Sequence, residues 1–544
     1  MSLWDTFLSP RTLTRDTWQW NGVEFRRRTY GDGVAAARHA AAGLRRRGVR
    51  AGSVVALVIT NGPDAISCVG GAWFAGARVA SLPIIARGMT VDGYVAQLRG
   101  LCRLLGAECL VVEDRFLGFL PEDADLGVEL VGCRGLLETA AMADVSPPAE
   151  TETMFIQFSS GTTSEPRGVE LSGAAIEAQL ATLSAEAEID PERDRGYTWL
   201  PMSHDMGFFG CSLLAWYSGI PGVMATPERF LGAPRTWFDD CAEFGATLTS
   251  APPFALDVAA RAERVRSSGK PLRLRQCLIG AEEILWPTLE NALDAFGPRG
   301  LKATTLTPGY GLAEAVLGVT GERLGAAPSF LDVDGEALAG GRVETVEPGH
   351  PAARRLVSSG EALPGVTVKI DPRGNEIVVN SPSLGTGYFG NEKLSAERFA
   401  GGALRTGDTG FLHEGKLFVS GRNDDLLTVR GRNVYVQETE RKLGEEPALF
   451  MGNCAIVDLP DGARQRIVLV AELGERQVDT QQLALRLNRL TLESCGIAID
   501  DFLFLERGTF PKTPSGKAQR YRCRRLAAVA EVGTRVALGA GAGA

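Results

Sequence analysis

The sequence predicts an α/β fold with a large N-terminal α/β domain and a small α+β C-terminal domain. Residues 31–48 have the apolar periodicity of an amphipathic helix, and their basic residues before Gly48 favour a helix end. Residues 53–59 are an apolar run typical of a buried parallel strand, and residues 64–77 are again helical. Helices and strands that alternate through such short loops are typical of a layered α/β architecture.

Chain length and a change of pattern predict the domain division. A chain of 544 residues is too long for one hydrophobic core, so at least two domains are expected. After Gly421 the pattern changes to a smaller α+β segment. We therefore predict an N-terminal domain over residues 1–421 and a C-terminal domain over residues 422–544, with a disordered Gly/Ala tail from Leu538.

The composition indicates an acidic globular protein. Apolar residues make up 44% of the chain, and the net charge of −9 without a long basic run argues against nucleic acid as a main partner. The 10 cysteines lie in apolar stretches without a Cys-x-x-Cys pair, which favours buried free thiols over metal sites or disulfides. The N-terminus lacks a signal pattern, and no apolar run approaches the ~20 residues of a membrane span. We expect a cytoplasmic protein.

Residues 159–168 form a loop rich in hydroxyls and glycine. The loop follows an apolar run, Met154-Phe155-Ile156-Gln157-Phe158, and precedes a helical pattern that starts near Ala174. A strand–loop–helix of this composition can bind phosphate, because hydroxyls and bare N–H groups converge on anionic oxygens. It lacks the Gly-Lys-Ser/Thr sequence of a Walker loop.

Further motifs follow in a fixed order. They are Tyr310-Gly311-Leu312-Ala313-Glu314, Arg405-Thr406-Gly407-Asp408, Gly421-Arg422-Asn423-Asp424-Asp425 and Pro514-Ser515-Gly516-Lys517. With the hydroxyl-rich loop, this order and spacing resemble the adenylate-forming superfamily of acyl-CoA synthetases, acyl-AMP ligases and peptide-synthetase adenylation domains. The resemblance spans residues 29–525. Residues 321–356 break the regular pattern and hold an insertion-like stretch at 332–343, followed by residues 356–360. This region and the run at 199–207 resemble the fatty acyl-AMP ligase branch.

The resemblance implies a reaction in two steps. A carboxylate attacks the α-phosphate of ATP and gives acyl-AMP, and a phosphopantetheine thiol of CoA or of an acyl carrier protein then takes the acyl group. The expected cofactors are ATP/AMP, Mg²⁺ and CoA or phosphopantetheine. The insertion favours a carrier protein as acceptor, and CoA stays open as the alternative. The expected acid is a fatty acid or, as the alternative, an acid of specialised metabolism.

The resemblance also assigns residues to the nucleotide. The phosphate-binding positions fall on Ser159, Ser160, Gly161, Thr162, Thr163, Arg167 and Gly168. Mg²⁺ is expected on Glu314 and Thr163, since magnesium favours one or two carboxylates beside phosphate oxygens. Tyr310 is expected to stack on adenine between Gly309 and Gly311, and Asp408 to accept both ribose hydroxyls. Arg422 would reach the ribose or a phosphate from the other side.

The remaining assignments concern the acyl group and the C-terminal domain. Lys517 is the expected catalytic cation that bridges the acyl carboxylate and the α-phosphate. His204 matches a histidine beside the acyl pocket, and a structural histidine is the alternative. The resemblance implies a C-terminal domain that rotates about a hinge at Asp425, with Gly431 in the thiol tunnel. Phe208, Phe209, Trp216 and Phe254 are expected either in the acyl pocket or in the core.

The phosphate loop departs from the family pattern at three positions. Ser164 stands where the family commonly has Gly, Glu165 adds a negative charge, and Arg167 replaces Lys. One alternative is therefore a protein that performs mainly the second step on acyl-AMP made by a separate adenylating enzyme. The other is a non-catalytic acyl-nucleotide binding protein, against which the joint retention of the motif residues Glu314, Asp408 and Lys517 argues.

Overall fold

The computed structural model describes most of the chain. The described ranges are 3–85, 89–121, 124–158, 166–339, 341–422, 426–429, 432–461, 464–475, 477–513, 518–529 and 533–537.

The helices and strands are numbered in chain order. The strands are β1 Asp16–Trp20, β2 Phe25–Thr29, β3 Val54–Leu57, β4 Arg78–Ser81, β5 Cys109–Val112, β6 Glu129–Gly132, β7 Thr153–Phe158, β8 Gly168–Ser172, β9 Gly196–Thr198, β10 Gly222–Met224, β11 Leu248–Ala251, β12 Gln276–Ile279, β13 Leu306–Gly311, β14 Gly318–Gly321, β15 Phe330–Asp334, β16 Ala353–Val357, β17 Glu361–Ala362, β18 Thr367–Asp371, β19 Glu376–Asn380, β20 Gly387–Tyr388, β21 Leu404–His413, β22 Lys416–Arg422, β23 Leu426–Val429, β24 Arg432–Tyr435, β25 Leu449–Asp461, β26 Arg464–Leu473, β27 Asp501–Leu505 and β28 Thr534–Ala537. The α-helices are α1 Leu3–Phe7, α2 Pro10–Leu13, α3 Tyr30–Arg46, α4 Pro63–Phe74, α5 Val91–Leu105, α6 Asp114–Leu117, α7 Cys133–Leu137, α8 Gly173–Glu186, α9 Asp205–Gly207, α10 Leu214–Tyr217, α11 Pro227–Gly232, α12 Thr236–Phe244, α13 Pro253–Val265, α14 Trp286–Phe296, α15 Gly335–Ala339, α16 Glu392–Arg398, α17 Val436–Leu443, α18 Thr480–Cys495 and α19 Arg520–Ala528.

A seven-stranded sheet organises the first part of the chain, in the order β20-β8-β7-β4-β3-β5-β6. Strands β7, β4, β3 and β5 pair in parallel, and β3 and β5 are apolar and buried over their whole length, as the apolar run at residues 53–59 predicts for β3. Helix α3 begins with a capping box in which Thr29 and Asp32 exchange hydrogen bonds. The predicted alternation of helix, strand and helix is confirmed in α3, β3 and α4.

A 13-stranded sheet carries most of the remaining strands, in the order β18-β19-β21-β22-β17-β14-β13-β12-β11-β9-β10-β1-β2. Strands β1, β10, β9, β11, β12 and β13 form its parallel part. From β13 onwards the pairing is antiparallel. Ligands of open α/β sheets bind at the carboxyl ends of parallel strands, and here the ends of β12 and β13 carry Ala281 and Gly311 into the cavity described below.

The insertion-like stretch forms an antiparallel hairpin of β15 and β16 with the short helix α15. Val333, Leu338 and Leu356 pack against Phe411 and Phe418 of the 13-stranded sheet. The hairpin is therefore fixed to the body of the protein by a small apolar core of its own.

The C-terminal part forms a separate four-stranded sheet, β25-β26-β27-β28, with helices α17, α18 and α19. Its core contains Ile456, Leu469, Leu483 and Phe502. Strand β22 of the 13-stranded sheet extends through Arg422, and the next described strand, β23, pairs only with β24. The fold is thus a large α/β body followed by a smaller α+β unit, as the sequence predicts.

The structure corrects the prediction that the hydroxyl-rich loop leads directly into a helix. Strand β8 intervenes: it pairs antiparallel with β7, and helix α8 starts only afterwards with Ser172 as its N-cap. Val169 and Leu171 are buried and alternate with half-buried Glu170, which is the pattern of a strand. The loop therefore joins two strands, and no helix N-terminus follows it immediately.

The cysteines and the helix lengths bear on two further expectations from the sequence. All 10 cysteines are free, and eight of them are buried, as expected for thiols in apolar stretches. No helix in the described ranges is long and apolar enough to cross a membrane.

Candidate active site

One cavity of about 860 Å³ joins both large sheets and the C-terminal unit. Its walls include the ends of β7 and β13, the inner strands of the 13-stranded sheet, and residues of α17 and β25. The cavity contains most of the described residues that the sequence analysis assigned to the nucleotide. These are Arg167, Gly309, Tyr310, Gly311, Glu314, Asp408 and Arg422, and His204 lines it as well.

The carboxylate of Asp408 is held on both oxygens. Tyr310 Oη donates to Oδ2 at 2.6 Å, and Arg422 Nε donates to Oδ1 at 2.7 Å. Burial and the charge of Asp408 raise the pKa of the Tyr310 phenol well above its ordinary value, so the phenol stays protonated and donates. Each carboxylate oxygen keeps a further acceptor position, which is what a pair of hydroxyl groups requires.

The two glycines beside Tyr310 differ in how strictly the backbone packing requires them. A Cβ on Gly311 would lie 1.9 Å from the carbonyl oxygen of Leu317, so no side chain fits. A Cβ on Gly309 would lie 3.1 Å from the oxygen of Thr320, which is tight but not impossible. A Cβ on Gly168 would lie 2.8 Å from the side chain of Ile156 and 3.0 Å from that of Phe158, both on the paired strand β7. These glycines therefore act by allowing strands to approach closely, in addition to any contact with a nucleotide.

Glu314 lies in a 3₁₀ turn after β13 and is oriented by Tyr388 of β20. Tyr388 Oη donates to Glu314 Oε1 at 2.8 Å. Burial and the Glu314 charge raise the pKa of the Tyr388 phenol, and the guanidinium groups of Arg398 and Arg167 oppose this rise. Arg167 thus places its charge near the Glu314–Tyr388 pair. The described residues give the second carboxylate oxygen, Oε2, no hydrogen bond, and a single carboxylate beside phosphate oxygens is the kind of site that Mg²⁺ accepts.

His204 is the N-cap of α9, and its Nδ1 is engaged locally. Nδ1 lies 2.6 Å from Asp205 Oδ1 and 3.3 Å from the N–H of Met206. A protonated Nδ1 donates to Asp205, and an unprotonated one accepts from Met206. In either tautomer Nε2 is the nitrogen that remains for a ligand, since the described part of the chain offers it no hydrogen bond.

The part of the cavity against the parallel strands β9, β11 and β12 is the candidate chamber for the acyl group; Thr198, Ser250, Gln276 and Leu278 line it. Of the aromatic residues expected there, Trp216 lines the cavity, whereas Phe208 and Phe209 are fully buried in the core beside Phe155. Phe254 packs against the second core cluster and does not line the cavity.

Four polar residues that line this chamber cannot be recognised from the sequence. They are Thr198, Cys211, Ser250 and Gln276. Each comes from a different element, and no local motif distinguishes them from ordinary strand and helix residues. Only the pairing of β9, β11 and β12 brings three of them onto one face.

The C-terminal unit closes one side of the cavity with Gln437, Glu440, Arg441, Gly452, Cys454, Ala518 and Arg520. Glu440 and Arg520 form a buried bidentate ion pair, with Arg520 Nη2 2.6 Å from Glu440 Oε2. This pair fixes the first residue of α19 against α17. The predicted residues Ser159, Ser160, Gly161, Thr162, Thr163, Asp425, Gly431 and Lys517 lie outside the described residues, as do Ser164 and Glu165.

The sequence profile described as "AMP-binding enzyme" matches residues 14–389. The chain belongs to the AMP-binding enzyme family.

Relatives place this AMP-binding enzyme in the fatty acyl-AMP ligase branch. It is similar to the long-chain-fatty-acid–AMP ligase FadD32 of Mycolicibacterium smegmatis, at 30% identity over 69% of each chain. It is also similar to the medium-chain-fatty-acid–[acyl-carrier-protein] ligase JamA of Moorena producens, at 29% identity over 70% of this chain and 68% of JamA.

A solved structure extends the similarity over almost the whole chain. It is the fatty acyl-adenylate ligase from L. pneumophila in complex with acyl adenylate and pyrophosphate, with a TM-score of 0.73, 26% identity and 98% of both chains covered. The predicted superfamily and branch are therefore confirmed. The chain thus belongs to a family of adenylate-forming ligases, whose family description names AMP as the bound nucleotide.

Proposed function

We propose that the protein is an acid–thiol ligase. It activates a carboxylic acid as acyl-AMP with ATP and Mg²⁺, and it transfers the acyl group to a phosphopantetheine thiol. The observation that carries the proposal is the single cavity in which Asp408, held by Tyr310 and Arg422, and Glu314, held by Tyr388, face the same space. Two oriented carboxylates suit the two tasks of holding ribose and holding a cation.

The nucleotide is bound through Asp408 and Tyr310. Asp408 accepts the two ribose hydroxyls on the acceptor positions that Tyr310 and Arg422 leave open. The Tyr310 ring, fixed by its own hydrogen bond to Asp408, provides a flat face for adenine. Arg422 lies in the last residues of β22, next to the position of the proposed hinge at Asp425, and offsets the Asp408 charge.

The phosphates and the reacting carboxylate need positive charge, because the first step brings two anions together. Glu314 would hold Mg²⁺ together with Thr163, and the cation would neutralise phosphate oxygens. Residues 159–163, Arg167 and Gly168 would hold the β- and γ-phosphates, and Lys517 would bridge the acid and the α-phosphate. His204, with Nε2 available, would lie beside the acyl carboxylate.

We propose an acyl carrier protein as the acceptor of choice, with CoA as the alternative. The hairpin of β15 and β16 is anchored beside the cavity: Arg354 Nη2 donates to Glu283 Oε1 at 2.9 Å, and Leu356 and Val357 line the cavity. A fixed insertion at this place would leave less space for CoA at the cavity. The similarity to JamA, named as an acyl-carrier-protein ligase, supports the same acceptor.

A second candidate function is catalysis of the thioester step alone, on acyl-AMP supplied by another enzyme. The observation that favours it is the replacement of the usual residues by Ser164, Glu165 and Arg167 in the phosphate loop. Against it, Arg167 keeps a cation near the Glu314–Tyr388 pair, where the family pattern places a lysine. The two functions differ in one result: only the two-step ligase forms thioester from a free acid and ATP.

The test is mass spectrometry of the products made by the purified protein. One set of reactions contains a panel of carboxylic acids, ATP and Mg²⁺, with either CoA or a phosphopantetheinylated carrier protein. A matched set receives pre-made acyl-AMP in place of acid and ATP. Thioester in both sets supports the two-step ligase and identifies its acceptor, whereas thioester from acyl-AMP alone supports the second candidate. An Asp408→Asn variant, which weakens ribose binding, should lose the product of the first set.

If no thioester forms in either set, the proposed function is wrong. Tight binding of a non-hydrolysable acyl-AMP analogue without turnover would then identify an acyl-nucleotide binding protein.

A further inference from the structure

The acyl chamber has a polar face that a plain alkyl chain cannot match. Thr198 on β9, Ser250 on β11 and Gln276 on β12 point into the cavity from neighbouring parallel strands. Thr198 and Ser250 are only 5% and 4% exposed. Buried hydroxyls of this kind stabilise a protein only when they form hydrogen bonds.

Cys211 reaches the same point from the π-helical turn Phe208–Leu213 above the sheet. Its Sγ lies 2.8 Å from Ser250 Oγ, and the Thr198 hydroxyl also faces the thiol. Burial raises the pKa of the Cys211 thiol, so the thiol stays protonated. Thr198 Oγ1 already accepts the N–H of Leu200 at 3.1 Å.

The cluster carries more polar hydrogens than the hydrogen bonds among its own side chains use. Thr198, Cys211 and Ser250 carry one polar hydrogen each. The Cys211–Ser250 hydrogen bond uses one of the three, and a hydrogen bond between Thr198 and Cys211 would use only one more. No other hydrogen bond donated by these three side chains occurs in the described part of the chain, so at least one donor stays open toward the cavity.

The carboxamide of Gln276 adds a second open group. It lies one row away on the same face, opposite Leu248 of β11, and its side chain forms no hydrogen bond with any described residue. The flanking walls, Leu183, Leu214 and Leu278, are apolar. The chamber therefore combines an apolar channel with two polar points at which a ligand can accept or donate.

We propose that the acid accepted by this enzyme carries a hydroxyl or keto oxygen, which accepts a hydrogen bond from the Thr198–Cys211–Ser250 cluster. This inference rests on the proposed function and names its substrate class. An oxygen at this point satisfies the open donor, whereas a methylene leaves it buried without a partner. A hydroxyl or keto oxygen further along the chain can also reach the Gln276 amide.

Binding of non-hydrolysable acyl-sulfamoyl adenosines tests the proposal without requiring turnover. The probes are the decanoyl compound, a series that bears one hydroxyl or keto oxygen at each successive carbon, and a phenylpropanoyl pair with and without a ring hydroxyl. Calorimetry should show at least one oxygenated probe bound about tenfold more tightly than its plain counterpart. Pyrophosphate release from the free acids, recorded in parallel, should show the same preference in kcat/KM.

Three variants separate the cluster from general effects on the fold. Ser250→Ala leaves the Cys211 thiol, a weak donor, as the group that faces the ligand. It should reduce the preference for oxygenated over plain probes about fivefold. Cys211→Ser keeps three polar hydrogens and should retain it. Ser184→Ala removes a hydroxyl of the same kind outside the cavity, where Ser184 bonds Ser218, and should leave the preference unchanged.

The inference is overturned if plain probes bind as tightly as every oxygenated partner, or if Ser250→Ala leaves the preference intact. Discrimination in binding without any pyrophosphate release would leave the inference standing and overturn the proposed function. Equal turnover of plain and oxygenated acids would support the proposed function and overturn the inference.

Discussion

The phenol oxygen of Tyr310 lies 2.6 Å from Oδ2 of Asp408, although the two residues are 98 positions apart in the chain. The contact joins β13, from the parallel part of the 13-stranded sheet, to β21, from its antiparallel part. The same bond orients the tyrosine ring and the carboxylate, so the proposed adenine and ribose contacts are coupled.

Tyr310→Phe keeps the ring but removes the bond that orients Asp408. We expect the KM for ATP to rise about fivefold with little change in kcat, since the lost bond supports nucleotide binding in both the ground and transition states. Steady-state pyrophosphate release over a range of ATP concentrations measures this. An unchanged KM would show that the carboxylate does not need the phenol.

Tyr388→Phe removes the donor that orients Glu314. Groups that orient a metal ligand typically change metal affinity or activity by about tenfold or more, so the Mg²⁺ concentration for half-maximal rate should rise by about this factor. Magnesium titrations of pyrophosphate release measure it. Tyr94→Phe is the matched control, because Tyr94 donates to the Pro83 carbonyl and does not line the cavity. An equal effect of both variants would contradict a specific role of Tyr388.

Gly311→Ala and Gly309→Ala form a pair that distinguishes steric exclusion from mild crowding. A methyl on Gly311 would lie 1.9 Å from the Leu317 oxygen, and that backbone atom cannot move without disrupting β14. We expect Gly311→Ala to destabilise by about 3 kcal/mol or more, or to prevent folding. Gly309→Ala, with its nearest atom at 3.1 Å, should fold. Soluble yield and thermal unfolding compare them, and equal stability of both variants would contradict the packing argument.

Asp194 provides a pH-dependent test of stability. Burial alone would raise its pKa, but the bidentate bonds from Arg275, both at 2.8 Å, and those from the Asp190 N–H and the Thr247 hydroxyl outweigh burial and lower it. A lowered pKa in the folded state means that the stabilisation is complete at neutral pH and is lost as the pH falls below the unfolded value of about 3.9.

Asp194→Asn should therefore destabilise the protein by about 3 kcal/mol at neutral pH, because it leaves Arg275 without its buried partner. The difference in Tm from the wild type should narrow as the pH falls toward about 3. Glu192→Gln serves as the exposed control, since Glu192 pairs with Arg11 on the surface and should change Tm little. A Tm difference for Asp194→Asn that does not vary with pH would contradict the assigned charge state.

Much of the fold could be predicted because it is encoded locally. The helix over α3, the strand β3 and the helix α4 follow from apolar periodicity and end signals within a few residues. Strand β8 is an element that the local pattern does not predict, because it has only five residues and lies between a loop and a helix, although Val169 and Leu171 alternate with Gly168, Glu170 and Ser172. Its pairing with β7, a non-local contact, stabilises the strand that the local signal left ambiguous.

The sequence by itself determined the class of chemistry, because the order and spacing of the motifs around Tyr310, Glu314 and Asp408 are one-dimensional features. The tertiary structure alone decided which groups hold those motifs in place and what the acyl chamber offers. Tyr388 reaches Glu314 across 74 positions, and Cys211 meets Ser250 across 39. Such contacts depend on which strands become neighbours in a sheet, and the burial of apolar surface over the whole domain sets that order rather than any short stretch of chain.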